Sequence, residues 1–262
     1  MNTIIRNLIS LTADGVFSTR HDIMPMSAFK WNVLYKIAQT EDIAPYIYKG
    51  IICHENDKMA NVPNNVVCLF AKSVFNNQDD INDSFDITDI ESQKLTYILK
   101  KYLLKDIVYK ERHSIDTSKT SLDLLSLILQ NTNLIIRNGI RLRGIVELGI
   151  FLRTKGQYVD FVKIESWLQK LKFRRMASLQ ASILVDLFSF EKDEFPYVRK
   201  FERKALKLSL YSLDKIYEAN KHEQEFKNYN ISNCIKFYKF SRSESLCKGF
   251  SIIVRSLSEI EE

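Results

Sequence analysis

Glycine and proline are scarce in this chain, at 7 and 4 of 262 residues. Folds built from many short strands depend on both residues for their tight turns, so a β-rich architecture is disfavoured. No run of about eighteen apolar residues occurs, which argues against a membrane-spanning helix. The nearest stretch, LDLLSLILQNTNLII, is interrupted by Asp123, Gln130, Asn131 and Asn133. MNTIIRNLISLTADGVF lacks the charged, apolar, small-residue succession of a signal peptide. Cysteine is confined to Cys53, Cys68, Cys234 and Cys247, with no C-x-x-C spacing. These read as free thiols of a reduced compartment, and a cytoplasmic location is the expectation. The histidines are His21, His54, His113 and His222, with no His-x-x-x-His pair. No transition-metal site and no cofactor is therefore expected, since Cys53-His54 would need two distant partners. G-x-S-x-G and a phosphate-cradling glycine loop are also missing.

Apolar material is plentiful, at 45% hydrophobic and 11% aromatic residues, enough for one large core or two smaller ones. Most of it recurs with a period of 3.6. SAFKWNVLYKIAQT places Phe29, Trp31, Val33, Leu34 and Ile37 mostly on one side, with Ser27 as its N-cap. In EDIAPYIYKGI, Pro45 suits a first turn and Gly50 a helix stop. Pro63 opens a third helix, VPNNVVCLFAKSVF. Capping boxes at Thr88/Glu91 and Ser241/Glu244 start two more, with a weaker one at Thr120/Asp123. Asp160 is the N-cap of FVKIESWLQKL, and Pro196 to Lys221 reads as one long charged helix. Gly139, Gly144 and Gly149 read as positions of close helix approach, and Gly156 as a helix end. VVCLF and SIIVRSL are strand-like, but each lies within a better helical frame. No internal repeat is visible. The predicted fold is all-α, an irregular array of about eleven helices. Its predicted domains are an N-terminal helical region (1–78), an acidic connection (79–88) and a main helical domain (89–262).

Charge is uneven along the chain. Residues 1–91 carry 7 basic and 12 acidic side chains, residues 92–262 carry 31 and 20. A basic C-terminal part can meet nucleic acid or other anions, although its bases are interleaved with acids as on a solvated helical surface. The nucleic-acid candidate is WLQKLKFRRMASLQASI, a helix-turn-helix-like pair with Arg174 and Arg175 at the turn. An ordinary helical hairpin accounts for the same pattern. Arg141 and Arg143 are the other anion-facing candidates. The acidic segment NNQDDINDSFDITD spaces Asp80, Asn82, Ser84 and Glu91 as calcium ligands, but Phe85 stands where such a loop needs glycine. An Asp-rich linker explains it better, so no metal is expected.

Three ordered pieces carry a resemblance. NGIRLRGIVELGIFLRTKGQYVDFVKIESWLQKLKF resembles the helical segment that follows the catalytic core in a family of uncharacterised bacterial nucleotidyltransferases. That family often accompanies surface-polysaccharide or peptide-modification loci. The match runs through Gly139, Leu142, Arg143, Leu152, Asp160 and Leu168, with Glu147 where the family tends to carry Asp. WNVLYKIAQTEDIAPYIYKGI looks like the family's opening helical pair, and KFYKFSRSESLCKGFSIIVRSL resembles its closing segment. The resemblance implies a glycine element near the triphosphate and a strand with two carboxylates at i, i+2 that hold Mg²⁺. No Asp-x-Asp occurs here; Glu55/Asp57, Asp89/Glu91 and Glu191/Asp193 are the nearest substitutes. The expectation is a helical shell without a catalytic core: no catalytic residue, and an interaction or accessory role with a protein partner. The alternatives are nucleic-acid binding through the basic part, and a residual Mg-dependent nucleotidyltransferase.

Overall fold

Twelve α-helices and two short 3-10 turns, with no strand, make up the described residues of the computed structural model: 2–55, 57, 60–76, 95, 97–221 and 230–258. The expected all-α class is what the chain adopts. The acidic connection, the Asp80/Asn82/Ser84/Glu91 spacing and the Thr88/Glu91 box lie outside the described residues. The chain divides into two compact units. One comprises Met1–Phe85, Asp186–Ser189 and Leu206–Phe226; the other comprises Asp86–Val185, Phe190–Ala205 and Lys227–Glu262.

The first unit is built on α1 (Thr3–Phe17), a helix the sequence reading did not anticipate. Asn2 caps it, accepting from the Ile4 N–H at 3.1 Å. Ile4, Ile5, Leu8, Ile9, Leu11 and Ala13 are buried, and so are Asn7, Thr12 and Asp14. Each polar group is hydrogen-bonded. Asn7 exchanges two hydrogen bonds with the Met24 backbone, and the Thr12 hydroxyl donates to the Leu8 carbonyl.

Next come α2 (Ala28–Thr40), α3 (Ala44–Cys53) and α4 (Asn64–Asn76), with most of α10 (Ala205–Lys221) belonging to the same unit. Ser27 caps α2 and Pro45 sits in the first turn of α3. Trp31, Val33, Leu34 and Ile37 are buried, but Phe29 is exposed. Two residues on a helix subtend about 200°, so Phe29 faces away from Trp31. Gly50 does not stop α3; it lies inside the helix, where α3 crosses α1. A Cβ at Gly50 would meet the Leu11 carbonyl at 2.1 Å, and one at Gly15 the Tyr46 carbonyl at 2.0 Å. Two glycines, one per helix, bring the backbones together.

The second unit holds α5 (Ile98–Arg112), α6 (Lys119–Asn138), α7 (Leu142–Lys155), α8 (Phe161–Lys170), most of α9 (Arg174–Phe188), α11 (Asn230–Phe237) and α12 (Arg242–Ser258). At its centre α6 packs against α7, α8, α11 and α12. Its N-cap is Ser118, which accepts from the Ser121 N–H, in place of the expected Thr120. The Asn131 amide donates to the Gly144 carbonyl at 2.7 Å, in a space that a Cβ on Gly144 would fill. Gly139 ends α6 at φ 82°, outside any helix. Asp160 caps α8 through the Val162 and Lys163 N–H groups, as expected.

Between α8 and α9, Lys172 takes the left-handed position usually given to glycine, with φ 57°. The Phe173 N–H bonds back to the Leu168 carbonyl and the Lys172 N–H to that of Gln169, closing a Schellman turn. The long helix expected from Pro196 begins only at Ala205. Phe195, Tyr197 and Val198 are buried instead, with Tyr197 stacked on Phe161 at 5.9 Å. Side chains on consecutive residues leave one helix face together only poorly, so aromatic burial overrides helix propensity here.

Candidate functional site

The four arginines singled out in the sequence lie in the second unit, and three of them reach carboxylates. Arg143 bonds Glu147 one helical turn on at 2.7 Å. Arg174 reaches Glu165 at 2.7 Å, and Arg175 reaches Glu202 at 2.9 Å and the Lys239 carbonyl at 3.0 Å. Arg141 is the N-cap residue of α7, half-exposed and engaged with its surroundings. The Arg174 and Arg175 pairings tie α9 to α8 and to the segment before α10, the Arg143 pair stays within α7, and each carboxylate offsets the charge that an anion would meet.

A different pair of helices stands out by its exposure pattern. On α12, Leu246, Phe250, Ile253 and Val254 are all exposed, Phe250 and Val254 at 65% each. Their i, i+4, i+7, i+8 spacing forms one stripe. The opposite side of the same helix carries Glu244, Ser245 and Lys248, of which Glu244 is 1% exposed. α12 is thus amphipathic with its polarity inverted. On α5, Ile98, Leu99, Tyr102 and Tyr109 are exposed, while Leu104, Ile107 and Val108 face inward.

What turns α12 over is a buried polar knot between the starts of α5 and α12. Lys100 lies in the inward stripe of α5, only 3% exposed. Its ammonium sits 3.5 Å above the Phe173 ring and donates to the Ser241 hydroxyl at 3.3 Å. The Glu244 carboxylate accepts from the Tyr97 N–H at 3.0 Å. Burial pushes the Lys100 ammonium down to about 8, against the opposing pull of Glu244. A helix whose first turn must deliver Ser241 and Glu244 to a buried lysine cannot also turn Phe250 inward.

The first unit carries a second cluster, centred on Asp14 in the last turn of α1. Ser18, left-handed at φ 55°, ends the helix, and the chain folds back. Thr19 then donates to Asp14 Oδ1 at 2.9 Å, and the His21 backbone N–H to Oδ2 at 3.1 Å. His21 Nδ1 lies 2.6 Å from Oδ1, and His54 Nε2, from the end of α3, lies 2.8 Å from Oδ2. Burial raises the Asp14 carboxyl, but these hydrogen bonds from His54, His21 and Thr19 outweigh it and hold the group below its ordinary value. Beside His54 opens a depression of about 280 Å³ whose polar lining is His54, Glu55, Asp57, Asn61 and Asn64. Among the described residues no three His, Cys, Asp or Glu side chains gather to hold a metal ion.

Neither cluster was among the sequence candidates, yet each left a trace. Lys100 occupies an apolar register position, four residues before Leu104, and Asp14 is a lone acid within an apolar helix. The glycine pair that delivers His54 to Asp14 left none, because no local spacing marks a helix crossing. By fold and surface this is an all-α protein of two helical units, with an exposed apolar face on the second. No helix among the described residues is long and apolar enough to cross a membrane. No protein-family model matches the chain, and no curated protein or solved structure is detectably similar to it.

Proposed function

We propose that the chain is a catalytically incompetent, nucleotidyltransferase-like helical protein that acts as an interaction or accessory protein, docking a protein partner on the outer faces of α5 and α12. One observation carries the interaction role: α12 turns its charged side inward and Leu246, Phe250, Ile253 and Val254 outward. Apolar stripes of this kind mark surfaces that another molecule covers. Exposed Lys101, Lys105 and Arg112 rim the α5 stripe on one side, which suits an amphipathic partner helix with acidic flanks. A lipid surface suits the arrangement less. A helix lying on a bilayer keeps its charged side in water, whereas Glu244 and Lys100 are buried.

The incompetent half of the reading rests on the residues. No Asp-x-Asp occurs, Glu55 and Asp57 follow the end of α3, and Glu191 and Asp193 sit at a 3-10 turn. None of these pairs lies on a strand, the setting that puts two carboxylates on one face. The nucleic-acid alternative draws less support, because Arg174 and Arg175 are already paired with Glu165 and Glu202.

The test compares native-host partners captured by the wild-type chain and by a Phe250→Glu/Val254→Glu variant with unchanged circular dichroism. A protein retained by the first and lost by the second is the expected result. Equal retention by both, or co-sedimentation with anionic vesicles alone, overturns the docking face. Isothermal titration with the four nucleoside triphosphates and Mg²⁺ tests the other half: micromolar binding with turnover overturns catalytic incompetence.

A further inference from the structure

The exposed stripe of α12 has a neighbour that completes it, α11. The short turn 238–241 joins the two helices, so α12 runs back along α11. They pack together and come close at Gly249, where an added Cβ would lie 3.8 Å from Cys234 Cβ. Ile235 and Phe250 each follow this contact by one residue. One residue turns a helix by about 100°, and in antiparallel neighbours the two turns lead to the same side. Both side chains are exposed there, Ile235 at 73% and Phe250 at 65%. The same count puts Tyr238, Leu246 and Ile253 between the helices, and they are correspondingly less exposed, at 39–48%. The pair therefore forms an apolar groove. Its floor is Tyr238, Leu246 and Ile253; its crests are Ile235 on α11 and Phe250 with Val254 on α12.

Shape and charge together select the occupant. A groove between two packed helices takes the side-chain ridge of a third helix, whereas a flat bilayer reaches only the crests. From Ser232 to Val254 the bases are Lys236, Lys239, Arg242 and Lys248, and the single acid, Glu244, is buried. Lys239 and Arg242 stand at the turn that closes one end of the groove. Neither is paired with a carboxylate among the described residues. A second copy of the chain would bring an equally basic hairpin to this site, so self-association sets like charges together. We propose that the groove between α11 and α12 seats an amphipathic α-helix of a partner protein, with its apolar stripe on the groove floor and carboxylates at the end beside Lys239 and Arg242. The inference rests on the docking reading above and adds the seat and the charge of what docks.

Fluorescence anisotropy of the full chain with dye-labelled helical peptides tests it. The peptides share one leucine stripe at i, i+3, i+4 and i+7 and differ only in flanking residues, which are Glu, Gln or Lys. The expected result is saturable binding of the Glu peptide, at least tenfold tighter than the Gln peptide, with the Lys peptide weakest. Lys239→Glu/Arg242→Glu should invert the order of the Glu and Lys peptides, an outcome that a misfolded variant would not give. Ile235→Glu should weaken the Glu peptide at least tenfold with unchanged circular dichroism. Equal affinity for the Glu and Gln peptides, no binding of any peptide, or an order unchanged by the double reversal overturns the proposal. Loss of binding in Phe250→Glu/Val254→Glu but not in Ile235→Glu overturns the groove and leaves the docking face on α12 standing; no loss in either overturns both. Displacement of the Glu peptide by phosphatidylserine vesicles, or a dimer of the chain broken by Ile235→Glu, assigns the groove to another occupant and overturns the proposal.

Discussion

Lys100 shows how one residue can decide the orientation of an element. Its ammonium is buried 3.5 Å above Phe173 and donates to the Ser241 hydroxyl, and burial holds it near 8. At about 1.4 kcal/mol per pH unit, a drop from 10.5 to about 8 costs the fold about 3 kcal/mol at neutral pH. The sign follows from linkage. Between about 8 and 10.5 the unfolded chain binds the proton and the folded chain does not, so stability rises with pH there. Below about 8 both states are charged and the penalty is full. Lys100→Met removes this dependence. Urea unfolding should show the variant's stability, relative to wild type, falling by about 2 kcal/mol between pH 7 and pH 9.5. A constant difference across that interval would place the Lys100 ammonium in water.

Among the helices, the few glycines and the left-handed residues divide their work unexpectedly. Asp42 and Lys172 end α2 and α8 in the left-handed conformation, and in each case the next residue, Ile43 or Phe173, is fully buried. Anchoring that side chain offsets the roughly 1 kcal/mol that a non-glycine residue gives up there. Glycine serves close approach instead: Gly15 and Gly50 let two backbones meet, and Gly144 leaves room for the Asn131 side chain. Gly50→Ala forces a Cβ to within 2.1 Å of the Leu11 carbonyl unless α3 moves. The substitution should cost about 2–3 kcal/mol in chemical denaturation, although alanine is the better helix former. It should also disturb the His54–Asp14 contact, visible in the imidazole resonances. If stability rose instead, α1 and α3 would not be in backbone contact at Gly50. The periodic pattern made most of these helices legible, including the caps at Ser27 and Asp160. It could not reveal the Gly50 crossing, because an isolated glycine near a helix end looks the same whether it stops the helix or meets another.

Across the whole molecule, the exposed stripe of α12 has consequences in solution. Uncovered, Phe250, Ile253 and Val254 should bind a hydrophobic dye such as anilinonaphthalene sulfonate. The Phe250→Glu/Val254→Glu variant should lower that fluorescence by at least about half while keeping its helical content. Unchanged fluorescence would mean that another part of the chain covers the stripe. The arginine pairs Arg174–Glu165 and Arg175–Glu202 act at this scale too. They turn a locally basic sequence into internal ties, so net charge alone overstates what the surface offers to an anion.

The amino-acid sequence by itself determined the all-helical class, because low glycine and proline content and a 3.6-residue apolar period leave no other way to bury its leucines and isoleucines. It also determined that no segment carries a ready-made catalytic motif. Which side of α12 faces water, which acid meets two histidines and which arginines are spent on carboxylates were decided only by tertiary structure. Each depends on groups far apart in the chain, 147 positions for Tyr97 and Glu244 and 40 for Asp14 and His54. Period and propensity act over a few turns of helix, whereas the desolvation of a buried charge is set by whatever the completed fold brings around it.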